Sequence, residues 1–577
     1  MRLPLRHLIA TLMVSILAVW TIAAQIRPDV TIIRFPAHEA RDVSPDTPLR
    51  LTFAETPIAG TSGEVRVHDV DEGQVVDRLD LAIPAGPTQL PPATATSNAG
   101  PPPVYQRTGI GGFTEGFHFY PILVRDRTVT ITLHHGVLKY GRRYYVEIDP
   151  GVIKASGFTG FSGPRAWTFQ TRRAAPAANA TRIVVAADGS GDFTTVQGAV
   201  DFVPDTPASR ATIFIRRGRY EEIVYFRNKK DITFLGEDRD AVVIGYANNE
   251  IFNGPPPGVR TNERPGTFPY RRAAFMADGS TGIHIVNLTL RNFTPFGGSQ
   301  AEALLLMGGR NIVSHVNAYS HQDTVQFNDP VYIADSLIEG DTDFLWGRGP
   351  AFFERTTVRE LSNSPFMWVR STSASHGFVF VDCRFETPGS TEAGPVLARN
   401  TAAYPDSEIV LIDSAIGRIN PEAWQLPDDP GRVRYWESGS ISLDTGRPAD
   451  VSARHRASWQ LDRTRDAEII AQYRDPAFAL GGWTPEMAPI VLSAPDHTAV
   501  SSGATISLAV TVAAIPEATY QWRRGTTVIA DDGRVTGART RELSIKRAVR
   551  GDAGQYRVTV SNRAGQAVSS AVQVSVR

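Results

Sequence analysis

Two aspartates stand twenty positions apart in Gln322-Asp323-Thr324 and Asp341-Thr342-Asp343-Phe344, each in a short run bounded by turn residues. That interval suits one coil of a β-solenoid, and strands of neighbouring coils lie about 4.8 Å apart. Asp323 and Asp343 are therefore expected one above the other on one face, and Gln300, 22 positions before Gln322, continues the column. Two carboxyl groups so close are not both comfortably charged, so one tends to hold a proton. Such a pair can attack a carbonyl with one member and protonate the departing group with the other. Blander arrangements use the same residues. Asp341 and Asp343 together form an Asp-x-Asp turn of the kind that supplies calcium with oxygen ligands, and an Asp-Thr pair caps backbone amides.

The elements that must hold this column are short and β-rich. Thr212-Ile213-Phe214-Ile215, Ile232-Thr233-Phe234-Leu235, Ile283-His284-Ile285-Val286, Ile312-Val313-Ser314-His315-Val316 and Val331-Tyr332-Ile333 recur between residues 183 and 487 at intervals of about 20 to 25. A single coil cannot bury its apolar face until another stacks on it, which is the logic of a solenoid. Phe193-Thr194-Thr195-Val196-Gln197-Gly198-Ala199-Val200 has helical spacing behind a threonine cap, and predicts one helix covering the first coil.

At 577 residues the chain is too long for one core, and Gly 49 with Pro 40 points to many turns. Residues 1–24 read as a secretory signal, with Arg2 and Arg6 before the apolar run Leu8 to Val19 and small residues after it. A membrane anchor is the alternative, but the run is short for a span. Residues 28–172 alternate with period two in Leu49-Arg50-Leu51-Thr52-Phe53, Glu64-Val65-Arg66-Val67 and Thr128 to Leu133. Residues 84–103 read as a surface loop, residues 173–182 as a linker, and residues 489–577 as a last β unit. Lys+Arg 59 against Asp+Glu 60 leaves a net charge of −1, which argues against a partner held through nucleic-acid phosphates. Cys383 is the only cysteine, so the chain has no internal disulfide, and its alternating surroundings read as a buried strand position. The 12 histidines show no His-Glu-x-x-His spacing, and no Gly-x-Ser-x-Gly elbow marks a serine esterase.

Several segments resemble known families. Ala187-Asp188-Gly189-Ser190-Gly191-Asp192-Phe193-Thr194-Thr195-Val196-Gln197 is similar to the opening of pectinesterases, and Gly218-Arg219-Tyr220-Glu221-Glu222, Gln322-Asp323-Thr324 and Gly340-Asp341-Thr342-Asp343-Phe344-Leu345-Trp346-Gly347 resemble their later motifs in the same order. The likeness runs over residues 183–487, through Tyr435-Trp436-Glu437 and Gly481-Gly482-Trp483. Tyr140 to Ile148 and Ala166 to Phe169 resemble bacterial immunoglobulin-like domains, while Tyr520-Gln521-Trp522 and Asp552 to Val558 resemble the core tryptophan and tyrosine corner of an immunoglobulin fold, with Leu508 and Val558 in place of its cysteines. The implied architecture is all-β: a right-handed parallel β-helix between two immunoglobulin-like sandwiches.

The resemblance implies that Asp343 is the nucleophile, Asp323 the general acid and base, Gln322 and Gln300 the oxyanion donors, and Arg399 the group that orients Asp343. Phe344, Trp346 and Arg399 would meet substrate, although core filling is the alternative for the two aromatics, and Asp341 would be structural. No metal or organic cofactor is expected. The implied substrate is pectin or a related methylesterified polyuronide, acted on by a secreted, monomeric bacterial protein, periplasmic or extracellular. This chain departs from the family where a tryptophan is expected: Thr401 stands at that position and Asn400 at the preceding proline. Glu302 in Gln300-Ala301-Glu302-Ala303-Leu304 also adds a carboxylate expected near the substrate, and residues 248–272 form a proline- and glycine-rich loop expected to border the cleft. A β-helical polysaccharide lyase or hydrolase, and a non-catalytic glycan-binding surface protein, are the alternative readings.

Overall fold

The computed structural model describes residues 32–89, 104–112, 116–254, 271–388 and 394–577. The expected signal, residues 90–103 of the first loop and residues 255–270 of the second lie outside them.

From Arg182 the chain winds through three parallel sheets of 11, 9 and 8 strands, each complete coil adding one strand to each and the end coils only to some. One coil reads Val331–Ala334, Leu337–Gly340 and Leu345–Gly347, and the coil before it Asn311–Ser314, Asn317–Tyr319 and Val325–Phe327. Parallel pairing holds register because like side chains stack. Inward positions of the 11-stranded sheet run Ile183, Ile213, Phe234, Ile285, Val313, Ile333, Phe353, Phe380 and Leu411 from coil to coil. Phe353 is fully buried and stacks on Phe380 with ring centroids 4.3 Å apart. Such a column is continuous apolar surface that only stacked coils can remove from water.

Corners are as regular as strands. Between the first and second strands of successive coils the backbone enters the left-handed region at Asn287, His315, Asp335, Arg355, Asp382 and Asp413. Asparagine and aspartate tolerate that region better than most residues, and Arg355 there is held by a forked pair with Asp335 one coil below (2.9 and 3.1 Å). Cys383 lies just past one corner, and burial pushes its thiol up to about 12, so it is an inert core residue.

Both ends of the solenoid are covered. The expected helix, α1 (Val196–Phe202), caps the first coil, with Thr195 accepting from the Gly198 amide. Before it, sheets of four and five strands enclose a core around Leu51, Val67, Tyr144 and Trp167. This sandwich docks on the solenoid through Asp46, whose carboxylate accepts from the amides of Thr194 and Thr195 and from the Thr195 hydroxyl. It docks again through Phe117, packed against Tyr225 at 5.1 Å. On the opposite side, outward Ile312, Tyr332, Phe352, Val379 and Val410 form an apolar column that Tyr473, Leu480, Met487 and Ile515 cover. In the last unit Trp522 is fully buried, the Tyr556 hydroxyl donates to the Asp552 carbonyl at 2.7 Å, and Leu508 and Val558 share the core.

Truncating Phe353 opens a hole in a fully buried aromatic stack. Phe353→Ala should cost about 3–5 kcal/mol of unfolding free energy, measured by denaturant titration. A loss below about 1 kcal/mol would mean that the aromatic stack does not hold the coils together.

Candidate active site

Asp323 and Asp343 occupy the second corner of neighbouring coils, just before Val325–Phe327 and Leu345–Gly347. Both lie in the left-handed region, at φ 65° and 46°. The stacking is fixed by backbone bonds: the Asp323 amide donates to the Thr342 carbonyl at 3.1 Å, and the Asp343 amide to the Pro365 carbonyl at 2.8 Å. Each carboxyl thus inherits its height from the inter-coil ladder. Gln322 pairs with Thr342, and the Ala301 amide donates to the Gln322 carbonyl at 3.1 Å, so Gln300 and Gln322 adjoin in successive coils. Both glutamines are half-buried, and neither side-chain NH2 has a hydrogen-bond partner among the described residues.

The two aspartates have different partners. Arg399 approaches Asp343 as a fork, its Nε donating to both carboxylate oxygens at 2.9 Å and its Nη2 to Oδ2. Asp323 accepts from Arg272 Nη2 at 2.9 Å, but Arg272 is shared with Glu302 and Glu250. Burial pushes the Asp323 carboxyl well above the usual range; Glu302 and Asp343 add to the rise, while Arg272 and Arg370 oppose it. The chemical result is an asymmetric pair, with one carboxylate clamped by a cation and a neighbour that tends to hold a proton.

Asp341 turns away from this pair, its carboxylate 3.0 Å from His321 Nδ1, and among the described residues no three His, Cys, Asp or Glu side chains group as metal ligands. The two carboxylates of the Asp-x-Asp turn are committed to different partners, so they do not form a shared oxygen cage.

Two expected substrate contacts are corrected. Phe344 is fully buried, its ring 5.6 Å from Phe366 in the core, because the left-handed turn at Asp343 directs the next side chain inward. Trp346 does point outward, yet it is only 3% exposed, with the guanidinium of Arg370 4.7 Å and that of Arg272 5.5 Å from its ring centroid. Glu302 is corrected as well: it is fully buried and paired, and does not face a substrate.

An aromatic ring does stand beside Arg399, on the neighbouring strand. Trp368, half-exposed and paired directly above Trp346, carries the Arg399 guanidinium at 3.8 Å and that of Arg370 at 3.6 Å. Sequence reasoning missed Arg272, Arg370 and Trp368. One signal was present: Glu302 interrupts an apolar run, and a charge buried there requires a cation from an adjacent coil.

The chain is similar to known proteins over two of its parts. The pectinesterase family model matches residues 182–427, and the immunoglobulin I-set model matches residues 489–576. A probable pectinesterase of Arabidopsis thaliana is 26% identical over 259 residues, covering 42% of this chain and 84% of that protein. A pectinesterase of Ralstonia solanacearum is 28% identical over 274 residues, covering 40% of this chain and 69% of its own length. Among solved structures, carrot pectin methylesterase aligns at 23% identity with a TM-score of 0.44, covering 52% of this chain and 93% of that one. The family likeness thus spans residues 182–427 for the pectinesterases and residues 489–576 for the immunoglobulin I-set.

Proposed function

We propose that this protein is a carboxylic ester hydrolase that removes methyl groups from methylesterified galacturonan, releasing pectate and methanol. The observation that carries the reading is the unequal partnering of the stacked aspartates, Asp343 in the fork of Arg399 and Asp323 buried among carboxylates. Asp343 attacks the ester carbonyl carbon through one oxygen, whose second lone pair is left by the fork. As the C–O bond forms, the carbonyl electrons move onto oxygen, and the NH2 groups of Gln322 and Gln300 donate to it. Collapse breaks the bond to methoxide, which leaves as methanol with the proton of Asp323.

The product of that step is an anhydride of Asp343. Water then attacks its galacturonoyl carbon, giving a proton to Asp323 and freeing Asp343, which restores both groups. Arg399 offsets charge on Asp343 as the acyl group departs. Family relatives named as pectinesterases support the choice of substrate. Secretion rests on the arginine-flanked apolar run of residues 1–24, and the protein acts as a monomer in this reading.

Three substitutions test the roles. Asp343→Ala should abolish methanol release from pectin while the thermal melt stays unchanged; undiminished release in that variant would sink the mechanism. Gln322→Ala removes one oxyanion donor and should lower kcat about 10²-fold, from about 3 kcal/mol of transition-state stabilisation. Trp368→Ala frees Arg399 from a cation–π contact of about 0.5–2 kcal/mol, and kcat should fall several-fold with KM changed less. Formation of an unsaturated uronide or of new reducing ends, in place of methanol, would identify a lyase or a glycosidase.

A further inference from the structure

Glu302 is a fully buried carboxylate to which ester hydrolysis assigns no step. Its cost is several kcal/mol unless it is paired and hydrogen-bonded, and Arg272 pairs it completely. Nε of Arg272 donates to both Glu302 oxygens at 2.9 Å, and Nη2 donates to Oε1 at 2.7 Å. The same guanidinium reaches Glu250 at 2.9 Å through Nη1 and Asp323 at 2.9 Å through Nη2. One buried cation therefore serves three carboxyl groups, and a guanidinium does not give up its proton.

Three ionised carboxylates around one cation would leave two negative charges in excess in a dry site. Glu302 takes the forked geometry, the strongest form of the pairing. Glu250 lies at the partly exposed edge, with 18% of its side chain open. Asp323 shares only one donor and also faces Asp343 in the next coil, so the proton is left with Asp323. Arg370, at the end of Met367–Val369, is the other cation facing it. Arg399 stands beyond Asp343, already engaged by its fork.

We propose that Arg272 and Glu302 are positioning residues for the reaction, Arg272 aiming the Asp323 carboxyl by its Oδ2 and Glu302 neutralising enough of that guanidinium for Asp323 to carry a proton. Neither exchanges a proton itself. Without Glu302 the full charge of Arg272 acts on Asp323 and favours its ionised form, which cannot protonate methoxide. Without Arg272 the carboxyl loses its anchor and the guanidinium bonded to it, and holds its proton too tightly to return to the basic form. This inference rests on the reading of Asp323 as the general acid and base.

The sign of the pH response separates this role from simple support of the fold. In kcat/KM the free enzyme needs protonated Asp323, so activity is lost as pH rises through its pKa, and this group sets the basic limb. Glu302→Gln should move the basic limb to lower pH by about one unit, and Arg272→Gln to higher pH by a similar amount. Arg272→Gln should also lower kcat about tenfold or more with KM little changed. The double variant should bring the limb back toward the wild-type position. Methanol release from methylesterified galacturonan is measured across pH for all four proteins, with thermal melts to establish folding. If Arg272→Gln does not fold, Glu302→Gln and the charge-balanced double variant still carry the test. Basic limbs that stay in place, or that move the same way in all variants, overturn the inference. A wild-type protein that releases no methanol overturns the esterase reading and this inference with it, whereas an active wild type with unmoved limbs overturns the inference alone.

Discussion

Backbone hydrogen bonding between successive coils is the constraint on which the rest of this structure depends. It fixes the rise from one strand to the next at about 4.8 Å, and thereby the height of each side chain above the one a coil below. Gln322 beside Gln300 and Asp343 over Asp323 are consequences of ladder bonds such as Ala301 amide to Gln322 carbonyl and Asp323 amide to Thr342 carbonyl. A loop-built site would have to find the same separations by side-chain packing alone. Here the left-handed corner aims each carboxyl and the ladder spaces them.

Spacing alone would give two equivalent aspartates, and what distinguishes them is the cation each meets. Arg399 comes from the strand Ala398–Arg399, two coils beyond Asp343, and delivers a fork. Arg272 comes from the start of a strand two coils before Asp323 and is divided among three acceptors. Two cations thus flank the pair along the solenoid axis, one committed to a fork and the other divided, so the two carboxyls have unequal surroundings. Trp368 belongs to the same device, because its ring fixes Arg399 and Arg370 at 3.8 and 3.6 Å without adding charge.

The all-β solenoid, its capping helix and the neighbouring placement of Asp323, Asp343, Gln300 and Gln322 were legible because they follow from periodicity and from motif residues on consecutive coils, whereas Arg399, two coils beyond Asp343, was legible only from the family resemblance. What was not legible has a common physical origin. Trp368 and Arg370 contact the site from a coil of irregular length, 27 residues separating the corners Arg355 and Asp382, and Arg272 comes from a longer one in which Thr233 pairs with His284, 51 residues on. No fixed interval points from Asp343 to Trp368. Phe344 was misplaced because a left-handed residue reverses the in-and-out alternation, so a side chain expected at the cleft joins Phe366 in the core.

The same column logic explains why this solenoid carries flanking domains. Outward positions of a parallel sheet stack like with like, so an apolar residue on one coil is matched on the next and a stripe forms along the axis. Ile312, Tyr332, Phe352, Val379 and Val410 make one such stripe, and the helices and strands from Tyr473 to Ile515 cover it. On the sheet that bears the site, outward Tyr225, Met276 and Leu305 make another, closed by Phe117 and Ile110 of the N-terminal sandwich together with Phe252. One coil further the stripe changes to Gln326, then to Trp346 and Trp368 under guanidinium groups. The apolar stripe ends where the polar one begins, so the sandwich seals the sheet up to the coils of the aspartates and leaves the surface beyond them to the chemistry.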